Sequence, residues 1–358
     1  MTQFWSSLAR TLSPYVPGEQ PADQGIIKLN TNENPFGPSP LVIEAVRVAA
    51  DNALRLYPDP ECRELRRVVA SYHGISSNCV FAGNGSDEVL ALCFQAFFDP
   101  GAPILIPDVS YSFYRVYVGL FGLSHREVPV TDRLTIRIDD YAVPCAGVVL
   151  ANPNAPTGIA LPLASIRRLL DIHPTKVVIV DEAYVDFGAD SSLSLLHEYP
   201  NLVVVQTMSK SRSLAGLRVG FAFGQSHLIE ALNRVKNSFN SYPIGRLAQA
   251  GAIASYKDQA HFQRTRAAIM ESRNYLAAEL EQLGFEVLPS AANFLFVRHP
   301  GLPAKTLVEA LRRDRILVRH FDSKRVKEYL RISIGTAEQC AEVADCLRSF
   351  APTGLDVP

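Results

Sequence analysis

Thr207-Met208-Ser209-Lys210 follows the apolar run Leu202-Val203-Val204-Val205 and stands eight residues before Arg218. That run has the composition of a strand buried on both faces, and open α/β sheets build their sites at the carboxyl ends of such strands. A lysine there can form a Schiff base with an aldehyde. Hydroxyls beside it and a guanidinium further on suit a phosphate. Together these residue types point to an aldehyde that carries a phosphate.

Four more motifs fall where strands should end. Gly83-Asn84-Gly85-Ser86-Asp87-Glu88 opens the expected helix Val89 to Phe98. Its glycines let backbone N–H groups approach an anion, although Ser86 or Asp87 is equally an ordinary helix cap. Asn152-Pro153-Asn154-Ala155-Pro156-Thr157-Gly158 follows Val148-Val149-Leu150 and consists of turn formers. Asp181-Glu182-Ala183-Tyr184 follows Val177 to Val180. An acid at a strand end often serves only as a cap. Beside a pyridine nitrogen it keeps that nitrogen protonated, so that the ring accepts electrons, and a tyrosine three residues on can donate to the ring's phenolic oxygen. In Tyr329-Leu330-Arg331-Ile332-Ser333-Ile334-Gly335 an arginine interrupts an apolar strand pattern. It needs either an internal ion pair or a bound carboxylate or phosphate. In this order the motifs point to pyridoxal 5'-phosphate as cofactor.

The elements that must hold these groups read as βαβ. Ile104 to Ile106, Val148 to Leu150, Val177 to Val180 and Leu202 to Val205 read as strands, with helices at Ser110 to Gly122 and Pro162 to Ile172. Beyond residue 243 comes a long helical stretch from Ile244 to Leu283, with a break near Lys257-Asp258 and a stop at Gly284. Short strands then alternate with helices at Pro303 to Arg313 and Ala337 to Phe350. The expected architecture is α/β: a large, doubly wound, mostly parallel sheet domain over 36–245, a smaller α+β domain over 246–358, and an N-terminal arm over 1–35.

The chain has 358 residues, 47% of them apolar and 20% charged, with a net charge of −1. It has no basic excess for nucleic acid and no apolar run long enough to span a bilayer. No basic-then-apolar leader opens it, and its six cysteines are scattered without a Cys-x-x-Cys pair, so the sequence predicts a cytoplasmic protein with free thiols and no metal site.

The chain resembles the fold-type I pyridoxal-phosphate enzymes, and within them the histidinol-phosphate aminotransferase family. The resemblance runs over essentially the whole chain. It rests on Pro14-Tyr15-Val16-Pro17-Gly18-Glu19, Leu29-Asn30-Thr31-Asn32-Glu33-Asn34-Pro35-Phe36-Gly37, Leu56-Tyr57-Pro58-Asp59 and the motifs above. It implies that Lys210 carries the cofactor and shuttles the proton, Asp181 pairs with the ring nitrogen, Tyr184 contacts the phenolic oxygen and Tyr111 stacks on the ring. The phosphate would take backbone donors from Ser86 and Asp87, hydroxyls from Thr207 and Ser209, and charge from Arg218. Tyr57 would reach that phosphate from the partner subunit of a homodimer. Substrate contacts fall to Arg331, with Arg319, Tyr15 and Asn32 as further candidates. The implied reaction is transamination of L-histidinol phosphate with 2-oxoglutarate. The alternatives are aromatic amino acid transamination and phosphothreonine decarboxylation. One departure stands out. The family places Asn before Pro-Thr-Gly, touching the phenolic oxygen, whereas this chain has Ala155. Either Tyr184 serves alone or a neighbour such as Asn154 substitutes.

Overall fold

The computed structural model describes residues 3–23 and 25–350. Among the described residues twelve strands run in chain order: β1 (Ile27–Leu29), β2 (Val80–Gly83), β3 (Ile104–Pro107), β4 (His125–Val128), β5 (Gly147–Ala151), β6 (Val178–Asp181), β7 (Leu202–Thr207), β8 (Gly220–Phe223), β9 (Glu286–Val287), β10 (Phe294–Arg298), β11 (Ile316–His320) and β12 (Leu330–Ser333).

Seven of them form the larger sheet in the order β2-β8-β7-β6-β5-β3-β4. β4, β3, β5, β6 and β7 are parallel, and β8 runs antiparallel to both β7 and β2. The reason is visible in the side chains. Val148 and Leu150 of β5 and Val178 and Val180 of β6 enter one core, while Val149 and Ile179 enter the core on the opposite face. Strands apolar on both faces can be used only in a sheet covered by helices on both sides. From β3 the chain winds outward to β4. From β5 it winds the other way through β6 and β7. The direction reverses between β3 and β5, which opens a crevice beyond their carboxyl ends.

The smaller sheet has the order β1-β11-β12-β10-β9. Its core joins Leu295, Val297, Leu330 and Ile332 to Ile269, Leu276 and Leu280 of the helix Gln259–Gln282. That helix begins where the sequence places a break: Asp258 accepts the backbone N–H of His261 at 3.1 Å. Gly284, at φ 82°, ends the helical stretch.

The N-terminal segment differs from a simple arm. Ile27 to Leu29 pair in parallel with Ile316 to Val318 and become the edge strand of the smaller sheet. Upstream, Glu19 and Asp23 pair with Arg312 and Arg315 at 2.8 Å and 2.7 Å. A second junction lies between the sheets, where Val109, Val130 and Leu134 pack with Phe296, Val326 and Tyr329. Arg325 meets Asp108 there at 2.6 Å. Among the described residues no helix is long and apolar enough to cross a membrane.

Candidate active site

The crevice beyond β3, β5, β6 and β7 holds a cavity of about 230 Å³, a small-molecule scale. It is lined by Ser86, Asp87, Tyr111, Asp181, Tyr184, Thr207, Ser209, Lys210 and Arg218 on the larger-sheet side. Tyr15, Asn32, Arg319 and Arg331 close the other side. Tyr57 stands apart. It is 79% exposed on the surface and stacks on Tyr242 with ring centroids 4.6 Å apart.

Lys210 follows β7 in a turn that is held from two directions. Asn34 donates to the Lys210 and Ser211 carbonyls at 2.9 Å and 3.3 Å, and the Ser211 hydroxyl bonds Asp186. The amine donates to the Thr31 carbonyl at 3.2 Å. Asp181 ends β6 and is buried, with Tyr114 donating to Oδ2 at 2.8 Å and the Ala183 N–H to Oδ1 at 3.2 Å. Burial pushes its carboxyl up to about 6 despite these donors, and no cation pairs with it among the described residues. A protonated ring nitrogen is a fitting partner for such a group.

The anion cradle is built by close backbone approach. The helix Gly85–Phe97 starts without a side-chain cap, and Ser86 and Asp87 of its first turn line the cavity. A Cβ on Gly220 would lie 2.4 Å from the Ser86 nitrogen, and one on Gly85 would lie 2.5 Å from Arg218 Nη2. Arg218 donates to Asp87 Oδ2 at 2.9 Å and approaches Ser209 Oγ at 3.5 Å, and the Tyr111 hydroxyl donates to Asp87 Oδ1 at 3.1 Å. Thr207 and Ser209 hydroxyls bond each other at 3.0 Å at the cavity floor. These groups fit a phosphate.

On the far side Arg331 donates one bond, to the Asn30 carbonyl at 3.0 Å, and its Nε is buried without a partner. Burial pushes its pKa down. Arg319 sits directly opposite it on the neighbouring antiparallel strand. Like charges at facing positions destabilise a sheet, so this pair suits a strongly anionic ligand between them. Tyr15 closes over Phe113 and Tyr111 at centroid distances of 4.9 Å and 6.3 Å.

Asn32 lines the cavity, but its amide already bonds the Tyr184 oxygen. Asn154 does not substitute at the position of Ala155. Its side chain is used by Val109, Thr157 and Ser110, and Ala155 packs instead against Phe294 and Tyr184. Four supporting residues escaped sequence reasoning. Tyr114 lies in the first turn of the helix Phe113–Leu120, three residues after Tyr111, and its place near Asp181 left no sequence signal of its own. Asn34 and Asn30 belong to the asparagine-rich run that carries the resemblance. Ser333 gave no signal beyond its place two residues after Arg331.

Fold and site together define a pyridoxal-phosphate enzyme of fold type I. The family model described as aminotransferase class I and II matches residues 24–347. A histidinol-phosphate aminotransferase of Acetobacter pasteurianus is 57% identical over 98% of both chains. Histidinol-phosphate aminotransferase 1 of Pseudomonas aeruginosa is 53% identical over 97% of this chain and 99% of its own. Among solved structures, the Sinorhizobium meliloti histidinol-phosphate aminotransferase in complex with pyridoxal-5'-phosphate matches with a TM-score of 0.87 and 26% identity. That match covers 98% of this chain and 99% of the other. The chain belongs to the aminotransferase class I and II family, in the branch of the histidinol-phosphate aminotransferases.

Proposed function

We propose that the protein transfers the amino group of L-histidinol phosphate to 2-oxoglutarate, giving imidazole acetol phosphate and glutamate, in histidine biosynthesis. The observation that carries this reading is the Arg331–Arg319 pair, which faces the cavity without an acidic partner among the described residues. One anion site must accept a phosphate in one half-reaction and a carboxylate in the other, and guanidinium groups suit both. The names of the relatives favour the same donor over aromatic amino acids.

When bound, the cofactor supplies an aldehyde that condenses with amines and a protonated ring that accepts electron density from the bond broken at the substrate Cα. Asp181 holds the proton on the ring nitrogen. The start of the helix Gly85–Phe97, Thr207, Ser209 and Arg218 hold the phosphate. Tyr111 covers the ring. Lys210 would hold the cofactor aldehyde, and its free amine would move the proton at the substrate Cα. Arg331 and Arg319 fix the distal anion, so that Cα stands over Lys210. Tyr15 closes the mouth and excludes water.

Within this reading the active unit is a homodimer in the cytoplasm. The exposed apolar side chains of Leu54 and Leu56, which share a groove with the exposed Tyr57, support a second copy there. The six free cysteines suit a reducing compartment. Single-turnover rates with histidinol phosphate, phenylalanine, tyrosine and phosphothreonine test the substrate. Histidinol phosphate should react with the highest kcat/KM. A far higher value for phenylalanine would overturn the assignment. Arg331→Ala should lower both half-reactions by roughly 10- to 100-fold, the range of one lost charge-assisted contact.

A further inference from the structure

Asn32 is 1% exposed and lies at φ 56°, in the left-handed region that asparagine tolerates better than most side chains. Its bonds join three distant parts of the chain. Its N–H donates to Ser333 Oγ at 2.8 Å, and its carbonyl accepts the Asn293 amide at 3.0 Å. The Ser333 hydroxyl donates to Asn32 Oδ1 at 2.9 Å, and Asn32 Nδ2 donates to the Tyr184 oxygen at 2.9 Å.

One donor bond sets the direction of the others. Ser333 Oγ accepts the Asn32 N–H and donates its single proton to Oδ1. With Oδ1 as that acceptor, the amide turns its NH₂ toward Tyr184. The tyrosine oxygen is thereby the acceptor in its bond to Asn32, and its own proton is left for the cavity. The wall beside it consists of Ala151, Ala155 and Ala183, and Asn154 is committed elsewhere.

We propose that Ser333 and Asn32 are positioning residues that set the hydrogen-bond polarity of Tyr184, aiming its O–H at the phenolic oxygen of the pyridoxal ring. The relay rests on the cofactor reading above. It gives the chain a built-in support for Tyr184 on the flank where Ala155 offers only a methyl group. Ser333 also shares β12 with Arg331, so the strand that anchors substrate orients the tuning tyrosine. The charged and titratable groups that share the cavity with Tyr184 are Lys210, with Nζ 5.9 Å from its ring centroid, and Asp181, Glu33, Asp87, Arg218, Arg319, Arg331, Tyr15 and Tyr111.

A donor on the phenolic oxygen stabilises its negative charge and weakens its hold on the proton shared with the Lys210 nitrogen. The visible absorption of the cofactor-loaded protein titrates with that proton. Asn32→Asp keeps the shape and the tolerance of positive φ, but its carboxylate takes the Tyr184 proton away from the cavity. The absorption midpoint should rise by about one pH unit. The new charge acts in the same direction, so the substitution is repeated in a Tyr184→Phe background, where the rise should be much smaller. Ser333→Ala adds no charge and should shift the midpoint in the same direction.

An unchanged midpoint in Asn32→Asp, equal shifts in the two backgrounds, or no rise in Ser333→Ala would each overturn the relay. A purely structural role would lower stability without moving the midpoint, and that result also counts against it. If the parent protein gains no visible band with pyridoxal phosphate, the cofactor reading falls first and the relay with it.

Discussion

Asp181 holds its carboxyl in a buried place with two donors and no cation. Its folded pKa, about 6, lies above the ordinary 3.8, so between these values the folded protein holds more protons than the unfolded chain. Stability of the cofactor-free protein therefore falls as pH rises through that window. Glu182, pushed up to about 7 by burial, acts with the same sign. Asp181→Asn removes the first contribution. Denaturation of the cofactor-free proteins at pH 4 and pH 7 should show the variant gaining about 2 kcal/mol on the parent between the two. The same substitution should cost the loaded enzyme at least about 100-fold in turnover, because a neutral amide does not hold the ring proton. A variant that tracks the parent across pH would remove Asp181 from its assigned place.

At the scale of elements, the phosphate cradle depends on how closely β8 and the helix Gly85–Phe97 approach. Gly220→Ala would drive a methyl into backbone atoms of Gly85 and Ser86. Overpacking of this kind costs about 1–3 kcal/mol, and it should appear both as a lower Tm and as weaker cofactor binding. Gly216→Ala meets nothing within 4 Å and serves as the control. Equal cofactor affinity in the two variants would argue against a cradle at this contact. The same elements show what the sequence carries and what it hides. Val178 to Val180 and Leu202 to Val205 are legible because strands buried on both faces must be continuously apolar. β1 is not legible. Three residues in a proline-rich segment become a strand only through Ile316 to Val318, far along the chain. Tyr114 and Asn34 were hidden for a related reason: their partners lie 67 and 176 residues away. Lys210 and Asp181 are visible because each sits beside a strand end that the apolar pattern marks, and Arg218 is visible through its spacing of eight residues from Lys210.

For the whole molecule, Tyr57 and the apolar surface around it give the account its quaternary prediction. In the proposed homodimer, Tyr57→Ala and Lys210→Ala should each impair every site of their own assemblies. Co-expressed, they form hybrids in which one site combines an intact Lys210 with an intact Tyr57 from the other subunit. Activity should return toward a quarter to a half of the parent level, depending on how the subunits mix. No recovery would mean that Tyr57 does not act across the interface.

The central claim, that Lys210 carries pyridoxal phosphate at the end of β7, has a direct chemical test. The protein loaded with pyridoxal phosphate is reduced with borohydride, digested and mapped by mass spectrometry. One pyridoxyl phosphate group per chain is expected, on Lys210. A label on another lysine such as Lys28 or Lys236, or no label at all, would contradict it.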